Sequence, residues 1–377
     1  MSIATKLAKL KTIKQDIKSA LEEKGQTPSN VFSTYANNIR AIESGGGDTS
    51  QEDGLITRTL TSYSNDRVNS IGEYSFYNIK TLTNVECPNV TSIGTYAFYN
   101  CTSLTNINFT KVIALERNVF QYCKSLVSVS IPLFEFSRYT NNLFYGCSSL
   151  KNVYMPKVVR FDSYTFYQCT SLESIDFPLL QTANDSFCRG CTNLKQVNLP
   201  KLGNIYDYCF EGCTSLTNIS LPSGTRLSSY CFQHCSKLDN VDIGKLERID
   251  AYAFSDCYIL KSFTILNNTQ VANLSSIYAF FNCYHILGTI NSTYNPNGLK
   301  DGYIYVPASL LSQYKVATNW TTYASQIVGH QNYVVGDELV NYSNETYTNC
   351  TWYSDKEMTI EVASVESNGR YYCKLEA

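Results

Sequence analysis

Nine cysteines recur at one place in a repeating phrase of about 22 residues: Cys101, Cys123, Cys147, Cys169, Cys191, Cys213, Cys235, Cys257 and Cys283. Thiols in such a series could form disulfides, bind zinc, or line a core. Stacked coils place equivalent positions about 4.8 Å apart. That is close enough for a bridge, but equivalent Cβ vectors then run parallel instead of converging. A column of buried thiols serving as small hydrophobes fits better, with some bridging and metal binding as the alternatives. Cys188-x-x-Cys191, Cys209-x-x-x-Cys213 and Cys231-x-x-x-Cys235 resemble zinc half-sites. In each, the second Cys is the repeat residue and the first adjoins the repeat Phe, so register accounts for the pair without a metal. The odd total of 15 Cys also suits free thiols.

Other chemistry is sparse. The three histidines are His234, His285 and His330. No nucleophile elbow, zinc-protease helix, P-loop or dinucleotide fingerprint occurs. The acidic pairs Asp239/Asp242 and Asp162/Asp176 could in principle hydrolyse glycosides, but carboxylates on a repeat surface are usually solvated. The expectation is a non-enzyme with no catalytic, cofactor-binding or metal residues. A net charge of −2, with 16% charged residues, offers no long-range field for nucleic acid. No apolar run of about 18 residues is present for membrane insertion.

The elements that would position these residues follow from the period. The repeat Phe falls at 76, 98, 120, 144, 166, 187, 210, 232, 254 and 280, in steps of 22, 22, 24, 22, 21, 23, 22, 22 and 26. A period of this size predicts a solenoid whose coils each bury an apolar face only by stacking. Pairs two apart, such as Ile107/Phe109, Val129/Ile131 and Val241/Ile243, predict one short parallel strand per coil. A turn segment would then carry Phe, Cys and Leu inward. Ten coils would make a rod roughly 50 Å long.

The flanks differ. Residues 1–43 read as a helical hairpin for attachment or oligomerisation, with Ile3, Leu7, Leu10, Ile17 and Leu21 on one seam and Phe32, Tyr35 and Ile39 on another. Residues 44–54 read as a flexible linker. The solenoid spans 55–295, with Leu55 to Tyr63 as a capping strand. Residues 296–330 read as a C-terminal cap: a last strand at Tyr303–Pro307, then a helix from Ala308 to Ile327. Residues 331–377 read as a small β-rich tail with strands at Tyr333–Val335, Thr359–Val362 and Tyr371–Leu375.

Two surfaces stand out. The candidate ligand face comprises Asn106, Asn108, Ser128, Ser130, Asn152, Tyr154, Ser174, Asp176, Gln196, Asn198, Asn218, Ser220, Asn240 and Asp242, the polar neighbours of the inward strand residues. It is either a wetted face that keeps the sheet soluble or a platform for a glycan or protein. The second surface is the row Tyr77, Tyr99, Tyr145 and Tyr167, interrupted by Gln121. Its rings either pack along the stack or serve recognition.

The phrase Ile93-Gly94-Thr95-Tyr96-Ala97-Phe98-Tyr99-Asn100-Cys101-Thr102-Ser103-Leu104 resembles the BspA-like leucine-rich repeats. The resemblance implies a repeat solenoid. The segment Ile17 to Gly25 with Phe32 to Ile39 resembles the helical leader of bacteriophage tail- and baseplate-associated proteins. Together they imply a virion tail protein, assembled in the host bacterial cytoplasm without a signal peptide. Its residues 1–43 would dock to other tail proteins, with a homotrimer as one arrangement. Its solenoid would meet a host-surface glycan or protein. A bacterial BspA-like surface adhesin or protein-interaction module is the competing expectation.

Overall fold

The computed structural model describes residues 59–136, 139–266 and 268–330, together with the strands Cys350–Tyr353, Glu361–Val362 and Tyr372–Leu375. The seams at residues 3–39 and the linker lie outside the described residues, as does the expected strand at Tyr333–Val335.

A polar-apolar-polar triplet builds the main ladder. In Asn106–Asn108, Ile107 points inward and both asparagines point out. The pairing is parallel, Ile107 with Val129 and Val129 with Val153, and the pattern repeats along the chain to Val241 with Phe263 and Phe263 with Ile304. The expected strands form, but most are three residues long, and the second inward residue, such as Phe109, lies just past the strand. Ser62–Ser64 is the first rung of this ladder, paired to Asn84–Glu86, and overlaps the end of the expected Leu55–Tyr63 strand, whose residues 55–58 lie outside the described ones.

A second ladder was not anticipated. Two-residue strands, including Ser92–Ile93, Arg160–Phe161 and Arg226–Leu227, pair in parallel on another side of each coil. Two residues per strand are too few for a period-two signal. The ladder breaks between Ala114–Leu115 and Arg160–Phe161, in the coil lengthened by two residues.

The third side is a turn segment centred on the repeat Phe, which forms the inner rung. Phe76, Phe98, Phe120, Phe144 and Phe166 stack in sequence at 5.0–5.5 Å with interplanar angles of 3–12°. Phe210, Phe232, Phe254 and Phe280 continue at 5.3–5.4 Å. Between them the expected rung Phe187 is displaced by one. Cys188 occupies the rung: its N–H donates to Cys209 O at 2.7 Å, and its carbonyl accepts from Cys213 Sγ at 3.3 Å. The steps from Phe166 to Cys188 to Phe210 are thus 22 and 22. Phe187 takes the preceding position and lies edge-on to Phe166 and Phe210.

The residues two before and two after the rung are left-handed. Tyr74, Tyr96, Asn118, Asn142, Tyr164, Ser186, Tyr208, Tyr230 and Tyr252 have φ between 55° and 62°. Such a conformation costs about 1–2 kcal/mol for a non-glycine residue. It is offset by backbone bonding: Tyr96, Phe98 and Asn100 donate their N–H groups to Arg117, Val119 and Gln121 of the next coil at 3.2, 2.9 and 2.8 Å. Alternating hand aims every second N–H along the axis toward a carbonyl of the next coil.

The C-terminal region departs from the expectation. Tyr303–Pro307 is a strand but not the last, because Ile327–His330 pairs with it in parallel. The helix expected across Ala308 to Ile327 is broken into Ala308–Leu310, Leu311–Val316 and Trp320–Gln326, with Asn319 left-handed at φ 64°. The breaks serve capping. Trp320 Nε1 donates to Ala272 O at 2.7 Å, Asn319 Nδ2 to Leu274 O at 2.7 Å, and Tyr314 Oη accepts from Ala272 N at 2.9 Å. A continuous helix would leave those open-edge groups unpaired. In the tail, Cys350–Tyr353, a strand not expected from the sequence, pairs antiparallel with both Glu361–Val362 and Tyr372–Leu375.

Phe232 is stacked on both faces and wholly buried. Phe232→Ala is expected to cost about 3–5 kcal/mol, read as a lowered midpoint in urea unfolding followed by circular dichroism.

Candidate functional site

The outward residues of the main ladder share one side of the coils, where the strands pair in groups of two, three, two and five, and all fourteen of the predicted ligand-face residues lie on it. Asn106, Asn108, Asn152, Tyr154, Ser174, Asp176, Gln196, Asn198, Asn218 and Asn240 are exposed, whereas Ser128, Ser130, Ser220 and Asp242 are half-buried. Register brings them into two columns, with Ser130 beside Tyr154 and Asp176 beside Asn198. Several side chains bond along the column: Ser128 Oγ donates to Asn106 Oδ1 at 2.6 Å, and Asn198 Nδ2 to Asp176 Oδ1 at 2.7 Å. Tyr154 is the aromatic exception at mid-face, 59% exposed. Lys195 and Glu173 form an exposed ion pair at 3.0 Å beside the same strands.

The predicted acidic pairs do not converge. Asp176 faces outward on the strand face, while Asp162 is buried at the second ladder. There it accepts from Thr140 N at 2.9 Å and from Arg160 Nε and Nη2 at 3.0 and 2.9 Å. Asp250 repeats this arrangement between Arg226 and Arg248. Burial acts to raise the Asp250 carboxyl, but the two guanidiniums outweigh it and hold the group below the usual aspartate range. Asp242 is in register with Ser220 and Thr264, and Asp239 precedes the same strand with Oδ1 buried and unpartnered. These carboxylates anchor neighbouring coils or lie along the strand face.

The histidines also find carboxylates. His234 Nδ1 is 3.4 Å from Asp256 Oδ2. His285 is nearly buried, with Nδ1 2.5 Å from Asp301 Oδ1 and Nε2 3.1 Å from Tyr294 O. Asp301 also receives Lys261 Nζ at 3.2 Å. Burial acts to raise the Asp301 carboxyl, but His285 and Lys261 together hold it below its ordinary value. With both ring nitrogens engaged, His285 pins the segment that lengthens this coil.

The cysteine column does more than fill space. Cys101 Sγ donates to Phe76 O of the preceding coil at 3.0 Å, and Cys123 to Phe98 O at 3.1 Å. The pattern holds through Cys283 Sγ to Phe254 O at 3.2 Å. Each rung carbonyl already accepts a local bond, such as Cys101 N to Phe98 O. The thiol of the next coil therefore satisfies its second lone pair. Ile79 replaces Cys in the first coil, which has no rung carbonyl before it among the described residues. Burial pushes the Cys87 thiol up to about 11 and the Cys235 thiol to about 12.

At the corner, the second surface is built of ring contacts. Tyr77 stacks on Tyr99 at 5.0 Å and Tyr145 on Tyr167 at 4.7 Å. Tyr122 fills the gap left at Gln121, edge-on to Tyr99 and Tyr145. The left-handed tyrosines run beside them, Tyr74 on Tyr96, then Tyr208, Tyr230 and Tyr252 in a stack that ends on Tyr278. Arg189 joins the two halves, its guanidinium 5.7 Å from the Tyr167 centroid and 4.7 Å from Tyr208, and it is paired with Glu211. The rings do pack along the stack. The bridging Arg189 was not foreseen; its place one residue after a rung could be read only once Cys188 was known to hold that rung.

The native thiols from Cys87 to Cys283 are all free and buried. Treatment of the folded chain with a maleimide at pH 7.5 is therefore expected to label no more than Cys350 and Cys373, with the other thirteen thiols reacting only after denaturation, as counted by intact mass.

No curated protein matches the chain. Among solved structures it is similar to a leucine rich cell surface protein from Faecalibacterium prausnitzii, at 21% identity and a TM-score of 0.39, covering 58% of this chain and 62% of that one. It thus spans less than two thirds of that protein's length. A leucine-rich repeat protein from Bacteroides ovatus is 19% identical with a TM-score of 0.37, covering 70% and 88% of the two chains. Another from Eubacterium ventriosum is 18% identical with a TM-score of 0.36, covering 62% and 86%. No enzymatic family is indicated. Residues 69–188 and 160–287 match the BspA type leucine rich repeat region in six copies, and the chain belongs to that family.

Proposed function

We propose that this chain is a non-enzymatic interaction module, adhesin-like in action, whose main-ladder face meets a glycan or protein on a cell surface. The observation that carries the reading is the outward face of short polar side chains shared by successive coils, held in register at about 4.8 Å intervals within each group of paired strands. Membership of the BspA-type family supports it. Many weak polar contacts along a rod gain strength by multivalency, without requiring any single deep pocket. Tyr154 is the natural anchor, since an exposed ring contributes large contact area at low rotamer cost.

In a test, the chain would be biotinylated, multimerised on streptavidin and applied to intact bacterial cells. The Asn152→Ala/Tyr154→Ala/Asp176→Ala variant is expected to fold normally and bind about tenfold more weakly or worse. Unchanged binding of that variant would remove the strand face from the proposal.

The second reading, a phage tail protein carried on the virion, rests on the leader-like sequence Ile17 to Gly25 and Phe32 to Ile39. On that reading residues 1–43 dock to other tail proteins, with a homotrimer as one arrangement, and the BspA-like solenoid points at the host. Deletion of residues 1–43 is then expected to abolish incorporation into purified particles while leaving the solenoid's circular dichroism and melting unchanged. Undiminished incorporation would end the docking role.

A further inference from the structure

We infer that the corner of the first five coils is a second binding surface, a ridge that takes a neutral polysaccharide lying along the solenoid axis. The inference rests on reading the chain as a binding solenoid, but it concerns a different side from the strand face.

From the Phe76 coil to the Phe166 coil, the positions two before, one after and two after the rung hold only Tyr, Asn, Gln and Gly. In the following coils the same positions admit Arg189, Glu211, His234 and Asp256. Through the Asp256 coil the backbone there keeps its left-handed residues, and the N–H groups of the rung and of the residue two after it keep their axial bonds. Packing therefore tolerates charge at these places, and the uncharged set in the first five coils needs another cause.

The geometry supplies a surface. Neighbouring rings cover one another's faces, as in Tyr77 on Tyr99 and Tyr145 on Tyr167, so the half-exposed rings offer their edges and hydroxyls to solvent. The hydroxyls of Tyr96, Tyr99, Tyr164 and Tyr167 have no hydrogen-bond partner among the described residues. Alongside, Asn100 Nδ2 donates to Asn78 Oδ1 at 2.6 Å, which leaves the outer donor and acceptor of that amide pair unused.

Five coils extend over about 20 Å at the parallel-strand spacing. The length suits several linked sugars, and no enclosed pocket is needed. Neutral hydroxyl and amide groups both donate and accept, which matches sugar hydroxyls that do the same. A polyanion would call for cations at these positions. A protein partner would call for charge complementarity or a pocketed apolar anchor. Neither is provided by the residues of the ridge.

The full chain would be passed over immobilised β-glucan, xylan, mannan and chitin, with heparin as the polyanion. Retention is expected on at least one neutral polysaccharide and not on heparin. Tyr99→Phe/Tyr167→Phe keeps both stacked rings, and with an unchanged melting temperature it is expected to bind about tenfold more weakly, through loss of two hydroxyls. Absence of retention on every neutral polysaccharide, preference for heparin, or equal retention of the Phe variant would each overturn the inference. If the Asn152→Ala/Tyr154→Ala/Asp176→Ala variant alone lost retention, the ridge would be excluded while the interaction-module reading stood. Loss of cell binding and polysaccharide binding by the wild-type chain would end both.

Discussion

The solenoid depends on one requirement: the backbone groups of every coil must be satisfied by the next coil. On the strand sides, parallel pairing does this in the ordinary way. On the turn side, no regular element is available. The chain instead alternates right- and left-handed residues so that the N–H groups two before, at and two after the rung all point along the axis. The cost of left-handed tyrosines, about 1–2 kcal/mol each, recurs along the array and is offset by the axial hydrogen bonds of the turn segment, such as those of Tyr74, Tyr96, Tyr164 and Tyr208. An unpaired buried donor would cost about as much or more.

That requirement explains residue choices that composition alone leaves odd. Cysteine recurs because a rung carbonyl has a second lone pair facing the next coil, and only a small, weakly polar donor fits between stacked phenylalanines. The ends obey the same rule. Trp320, Asn319 and Tyr314 deliver side-chain groups to the backbone that the last coil would otherwise leave open. The second-ladder carboxylates tie adjacent coils, Asp162 by accepting from Thr140 and Asn184 and Asp250 by accepting from Arg226. With the interior and the polar anchors so committed, function is left to the outer sides of the coils: the strand face and the tyrosine corner.

Much of this was legible in the sequence. The period, the Phe and Cys columns and the polar face could all be read from residue spacing, because each rung repeats the same burial and the same periodicity. The misreadings arose where spacing is ambiguous by one residue or where elements are too short. Phe187 looked like the rung because it is the aromatic nearest the expected place. The carbonyl-to-thiol bond from Cys213 instead assigns the rung to Cys188. The second ladder escaped notice because two residues show no alternation. The cap looked like one helix because its apolar residues fall at helical spacing, although Asn319 breaks it and Ile327 belongs to a strand.

By itself the sequence determined the architecture: a 22-residue period with one buried Phe and one buried thiol permits little besides stacked coils, since no single coil can bury its own apolar side. Tertiary structure alone decided what those residues are bonded to. The thiols turned from fillers into hydrogen-bond donors, and the tyrosines two before the rung became left-handed corners. Arg189 became the link between two aromatic stacks. Each of these roles depends on the neighbour one coil away, and a partner some 22 residues distant acquires its orientation only when the coils stack.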